Sequence, residues 1–124
     1  SIPVLGVCVR RGASAQLDRV RAHCDELALL LGLQSPVKEA DIQVTDDHFA
    51  PGYGQLNATT KTAISLAAQY EALLLDPVYT GKAFAGTLQL ARSLDDKQAL
   101  LFIHTGGTPG IFAYGSTLLE EKDQ

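Results

Sequence analysis

Leu17, Val20, Cys24, Leu27, Ala28 and Leu31 recur at three- and four-residue steps, with Asp18, Arg19, Arg21, Asp25 and Glu26 on the other faces. A stripe of that period must be covered by another apolar surface, so this segment reads as a helix laid on a sheet. Ser14 is placed as its N-cap and Gly32 as its C-cap. A short β-branched run lies on each side of it. Ile2 to Val9, with Pro3 near its start, suits a buried strand carrying its proline at the edge. Asp41 to Thr45 alternates like a short strand and ends in Asp46-Asp47, after a turn at Ser35-Pro36. Strand, helix and strand in that order predict parallel pairing.

The pattern continues along the chain. His48-Phe49-Ala50-Pro51-Gly52-Tyr53-Gly54-Gln55-Leu56 mixes two glycines and a proline with aromatics, which breaks regular structure and leaves side chains on a loop. Asn57 can cap a helix reaching to about Glu71. Leu73-Leu74-Leu75 is a brief strand or extended link stopped by Asp76-Pro77, and Phe84, Leu88 and Ala91 share a helical face with Thr87. Gln98 to His104 is the clearest buried strand, opening into Thr105-Gly106-Gly107-Thr108-Pro109-Gly110. A short amphipathic segment from Ile111 to Leu119 then leads to a charged tail. The whole predicts one three-layer α/β unit over residues 1–124, a mainly parallel sheet with helices on both faces.

Composition narrows the function classes. Hydrophobic residues are 46% and charged residues 19% of the 124, as in ordinary globular chains, so a disordered or collagen-like protein is excluded. A formal net charge of −4 with scattered Lys and Arg argues against nucleic acid. No uninterrupted apolar run is long enough for a membrane span. Cys8 and Cys24 have neither zinc-site nor disulfide spacing and read as reduced, buried thiols. The opening Ser1-Ile2-Pro3-Val4 carries no initiator Met and no basic leader, so the chain reads as a piece of a longer polypeptide.

In parallel α/β sheets ligands gather at the carboxyl ends of strands, where loops and helix N-termini present unpaired N–H groups. Three loops qualify: Asp46 to Leu56, Asp76 to Gly81 and Thr105 to Gly110. Two of them carry a tyrosine. The runs Phe49-Ala50-Pro51-Gly52-Tyr53-Gly54, Leu74-Leu75-Asp76-Pro77-Val78-Tyr79-Thr80-Gly81-Lys82-Ala83 and Leu101-Phe102-Ile103-His104-Thr105-Gly106-Gly107-Thr108-Pro109 occur in that order. Together they resemble the carboxyl-terminal portion of the D-cysteine desulfhydrase and aminocyclopropane-carboxylate deaminase family, pyridoxal-phosphate enzymes of the tryptophan synthase β fold type.

The resemblance implies the carboxyl-terminal part of a cofactor-binding domain in a longer cytoplasmic lyase. That parent would eliminate D-cysteine to pyruvate, sulfide and ammonia, with aminocyclopropane-carboxylate deamination as the alternative. Its catalytic lysine and glycine-rich phosphate cradle would lie upstream, so no cofactor is expected on the isolated chain. None of Lys38, Lys61, Lys82, Lys97 and Lys122 stands in the family's Schiff-base context. Lys82 is the tempting candidate, and a structural role at the helix start or opposite a carboxylate is the competing reading.

By the same resemblance Tyr79 would lie against the pyridine ring and transfer a proton, with Tyr53 facing the substrate. Both rings could instead be hydrophobic anchors of their loops. A phenol acting as a base at neutral pH needs a nearby positive charge to lower its pKa from about 10. Thr80 and Thr105 would stand near the pyridine nitrogen, and Gly106 and Gly107 would let the main chain approach a flat ring. A helix N-cap at Thr80, a strand-ending cap at Thr105 and a plain tight turn at the glycines are the alternatives. The deaminase branch tends to carry glutamate where this chain has Thr80, which favours the desulfhydrase branch. His104 reads as a hydrogen-bonded core histidine, and no residues suggest a metal site.

Two other classes compete. A phosphoacceptor receiver module would use strand-end acids, yet Asp46-Asp47 and Asp76 stand in the wrong order relative to Lys82. A stand-alone dinucleotide-binding module lacks its glycine fingerprint after the first strand. The partners expected are a small amino-acid substrate, a second copy of the chain in a homodimer, and the missing amino-terminal half.

Overall fold

The computed structural model describes residues 2–34 and 37–119; the expected Ser35-Pro36 turn and the charged tail beyond Leu119 lie outside the described residues. Strand β1 (Leu5–Val7), helix α1 (Ala13–Leu30), a 3-10 turn (Glu39–Asp41) and strand β2 (Gln43–Thr45) come first. Helix α2 (Ala58–Glu71), helix α3 (Thr80–Ala91), a 3-10 segment (Thr108–Tyr114) and the short helix α4 (Gly115–Leu119) follow. β1 and β2 pair in parallel, Leu5 opposite Gln43 and Val7 opposite Thr45, and Cys8 N–H extends the ladder to Thr45 O at 2.8 Å. The α/β class and the parallel pairing through a helical crossover agree with the sequence reading.

Helix α1 is capped differently from expectation. Gly12, not Ser14, is its N-cap, and the Ala13 N–H donates to Asp46 Oδ2 at 2.7 Å, so the end of β2 caps the helix that precedes it. At the other end Gly32 takes φ +66°, and Leu33 N–H reaches back to Ala28 O at 2.9 Å, a Schellman closure. The stripe is covered at Leu17, Val20, Cys24 and Ala28 and then runs out: Leu27 and Leu31 are exposed. Cys8 is buried as expected, whereas Cys24 is only half-buried.

Helix α2 starts where Asn57 predicts, its side-chain oxygen accepting from Thr60 N–H at 2.8 Å. It buries Thr60, Ala63, Ile64 and Ala67 against α3. Small residues bring α3 close on two sides. A Cβ at Gly81 would stand 2.8 Å from Ile64, and one at Gly86 would stand 2.7 Å from Val7. Around Ile64, Ala67 and Leu75 pack Leu56, Leu73, Phe84, Phe102 and Leu118, with Phe84 and Phe102 edge to face at 5.1 Å.

The sheet is narrower than the sequence suggests. Neither Leu73–Leu75 nor Gln98–His104 forms a ladder, so the strand expected at Gln98–His104 is corrected to an extended segment. The segment keeps a strand's alternation: Phe102 and His104 are half-buried, while Leu101 and Ile103 are 83% and 68% exposed. Alternation records which side is covered. A strand also needs a hydrogen-bonded neighbour, and this stretch is tied to its companion through a side chain, His104 Nε2 to Leu74 O at 3.2 Å. Among the described residues no helix is long and apolar enough to cross a membrane.

Candidate functional site

The carboxylate of Asp76, wholly buried, organises the start of α3. Its Oδ2 accepts from Val78 N–H and Tyr79 N–H, each at 2.8 Å, and its Oδ1 accepts from Thr80 N–H at 2.9 Å and the Thr80 hydroxyl at 2.6 Å. These N–H groups have no intrahelical acceptor, so the aspartate satisfies them and favours the positive helix end. Tyr79 is thereby fixed through its main chain, and its ring is left 44% exposed.

Tyr53 comes to it from the neighbouring loop. The two hydroxyls are hydrogen-bonded to each other, and the rings lie edge to face with centroids 5.9 Å apart and planes inclined at 67°. The third loop closes on the second: a Cβ at Gly107, which has φ +89°, would fall 2.7 Å from Asp76 Oδ1. It also reaches the first, because the Tyr114 hydroxyl that follows it donates to Gly54 O at 2.6 Å. The three loops expected to carry chemistry therefore touch pairwise. Just before the third loop, His104 Nδ1 accepts from Gly106 N–H at 3.0 Å, and its Nε2 lies 3.2 Å from Leu74 O.

Thr80 and Thr105 are placed very differently. Thr80 is wholly buried; its hydroxyl proton goes to Asp76 Oδ1 and one lone pair accepts from Asp76 N–H at 2.9 Å. Only one lone pair remains, so this hydroxyl can accept but not donate. Thr105 is exposed. Gly106, at φ +99°, has nothing within 4 Å of where a Cβ would stand, so the main chain there faces open space.

One participant escaped the sequence, and a second is placed by the structure among the readings open to it. The Arg10 guanidinium, at the end of the first expected strand, lies 5.6 Å from the Tyr53 ring centroid, within cation–π range. Lys82 has no solvent exposure and faces no carboxylate among the described residues: its Nζ donates to Phe49 O at 2.9 Å and Gly52 O at 2.7 Å. Of its two structural readings, the helix-start role agrees with this geometry and the carboxylate pairing is corrected.

The hydrogen bond with Tyr53 holds the Tyr79 phenol above its ordinary pKa, with desolvation adding to the rise and the Arg10 charge opposing it. Tyr79 in this setting keeps its proton at neutral pH. A hollow of about 240 Å³ among Leu5, Thr45, Gln89 and Leu90 lies apart from the phenols and includes neither of them.

No family model matches the chain. Over 113 residues it is 46% identical to a D-cysteine desulfhydrase of Klebsiella pneumoniae (strain 342), a match covering 90% of this chain and 34% of that protein. It is 48% identical, with the same coverage, to a D-cysteine desulfhydrase of Yersinia enterocolitica serotype O:8 / biotype 1B. A crystal structure of an ACC deaminase homologue superposes with a TM-score of 0.80 at 36% identity, covering 93% of this chain and 34% of that one. The chain thus spans about a third of the length of the curated relatives it matches.

Proposed function

Because this chain is homologous to the carboxyl-terminal third of the D-cysteine desulfhydrase and ACC deaminase family, we propose that it forms the phenol-bearing wall of a pyridoxal-phosphate lyase site acting on D-cysteine. The observation that supports the reading is the meeting of Tyr53 and Tyr79 from two loops, with the third loop lying close against Asp76 at Gly107. When bound, the cofactor supplies the electron sink that makes the substrate's α-proton labile. The residues here fit a flat aromatic group: two phenols partly open to solvent, an exposed Thr105 hydroxyl, and a main chain at Gly106 with open space before it.

Each residue's part follows from its surroundings. Tyr79, kept protonated by its partner, delivers a proton at its hydroxyl, and Tyr53 is placed to replenish it. Thr105 is the better candidate for the pyridine nitrogen, since it keeps both donor and acceptor, while Thr80 offers a single lone pair from a buried position. Gly106 leaves room for the ring. Lys82, with its ammonium held by two carbonyls, supports an anchoring lysine supplied from outside this stretch. The buried Asp76 carboxylate is occupied by four donors, which argues against a phosphoacceptor role.

Thr80 in place of glutamate supports the desulfhydrase branch, and the ACC deaminase homologue keeps ring-opening deamination as the alternative. Exposed Leu101 and Ile103 support the proposed association with a second copy. The test is sulfide release from D-cysteine by the longer enzyme carrying this stretch. Tyr79→Phe is expected to lower kcat by at least about tenfold; unchanged turnover would leave the phenol a packing role.

A further inference from the structure

Lys82 is a buried charge whose stability bookkeeping is unfavourable. Burial lowers its pKa, and among the described residues no carboxylate stands opposite to offset the desolvation. It also occupies the first turn of α3, where a cation opposes the helix dipole. A methionine of similar length would fill the space without that burden, so packing does not explain the amine.

Its two acceptors do. Phe49 O and Gly52 O belong to the loop that ends in Tyr53, and the ammonium also lies 5.9 Å from the Phe49 ring centroid. Tyr79 begins the same helix turn. The start of α3 therefore holds two consecutive loop residues, Gly52 through Lys82 and Tyr53 through Tyr79. We propose that Lys82 is a positioning residue for the phenol pair: its ammonium clamps the main chain at Phe49 and Gly52 so that Tyr53 is held against Tyr79.

The inference rests on the phenol pair as the proton-handling group, and its test separates the two. The probe is tyrosinate absorbance during alkaline titration of the 124-residue chain, with helix content followed by circular dichroism. Wild type is expected to show one tyrosine titrating above 10.0, with Arg10 and Asp76 the charged groups facing it. In Lys82→Met, with helix content retained, that tyrosine falls back towards 10.0 as it does in Tyr53→Phe, and Lys82→Gln, which keeps a donor, recovers part of the shift. An elevated tyrosine in Lys82→Met matching wild type would overturn the clamp and leave the pair intact. Failure of both Lys82 variants to fold would make the lysine a core residue and overturn the proposal as well. A wild-type chain with no elevated tyrosine would overturn the pair, and the clamp with it.

Discussion

Asp76→Ala is the most informative perturbation of the scaffold. The substitution removes the acceptor for Val78, Tyr79 and Thr80 N–H groups and for the Thr80 hydroxyl, at a wholly buried position. An ordinary helix N-cap is worth about 0.5–2 kcal/mol. Each buried donor left without a partner costs about 1–3 kcal/mol. Water entering the vacated space reaches some of the donors, so the costs do not sum, and the expected loss is about 3–5 kcal/mol. A typical domain holds about 5–15 kcal/mol in total, so the variant stands near the edge of folding. Asp76→Asn keeps one carbonyl acceptor and loses about half as much. Urea unfolding measures both: with a slope near 2 kcal/mol/M, Asp76→Ala moves the midpoint down by about 2 M. A shift below about 0.5 M at unchanged slope would refute the claim that this carboxylate fixes the start of α3.

The two glycines of the third loop separate strain from crowding. Both have positive φ, but a Cβ meets open space at Gly106 and the Asp76 carboxylate at Gly107. Gly106→Ala is expected to cost about 1 kcal/mol and Gly107→Ala clearly more, because four hydrogen bonds prevent Asp76 from yielding; equal losses in thermal melts would contradict this. Alkaline stability gives a further check. Tyr79 has a folded pKa above 10.0, so its stabilisation is present below that pH and is lost as pH rises through the folded value. Lys82 has a folded pKa below 10.5, so its burial penalty weakens as pH rises towards 10.5. Wild type should therefore gain stability relative to Lys82→Met on going from neutral pH up to 10.0, below the range in which the Tyr79 contribution is lost, and parallel urea midpoints across that range would refute the assignment.

Local chemistry was the legible part of the sequence. The stripe through Leu17, Val20, Cys24 and Ala28 and the cap at Asn57 depend on neighbours a few residues away, and both stand in the structure. The convergence of Tyr53 and Tyr79 was reachable because their loops follow recognisable runs. Gln98–His104 misled because an apolar run reports neither which side is covered nor whether a partner pairs with it: Leu101 and Ile103 are exposed, and strand formation depends on a neighbour far along the chain. Asp46 capping α1 and Arg10 over Tyr53 are contacts across 33 and 43 residues, which no local pattern encodes. Lys82 stood out in the sequence, but its burial and its partners did not, for a similar reason. A lysine in the first turn of a helix looks solvent-exposed until the loop that closes over it is known, and its acceptors are backbone carbonyls, which carry no mark in a sequence.

The most direct test is a structure of the longer enzyme with pyridoxal phosphate and a D-cysteine analogue bound. The cofactor ring is expected in van der Waals contact with the Tyr79 phenol and over Gly106, with the Thr105 hydroxyl on the pyridine nitrogen. A cofactor seated away from both tyrosines, for instance in the hollow beside Leu5 and Leu90, would contradict it.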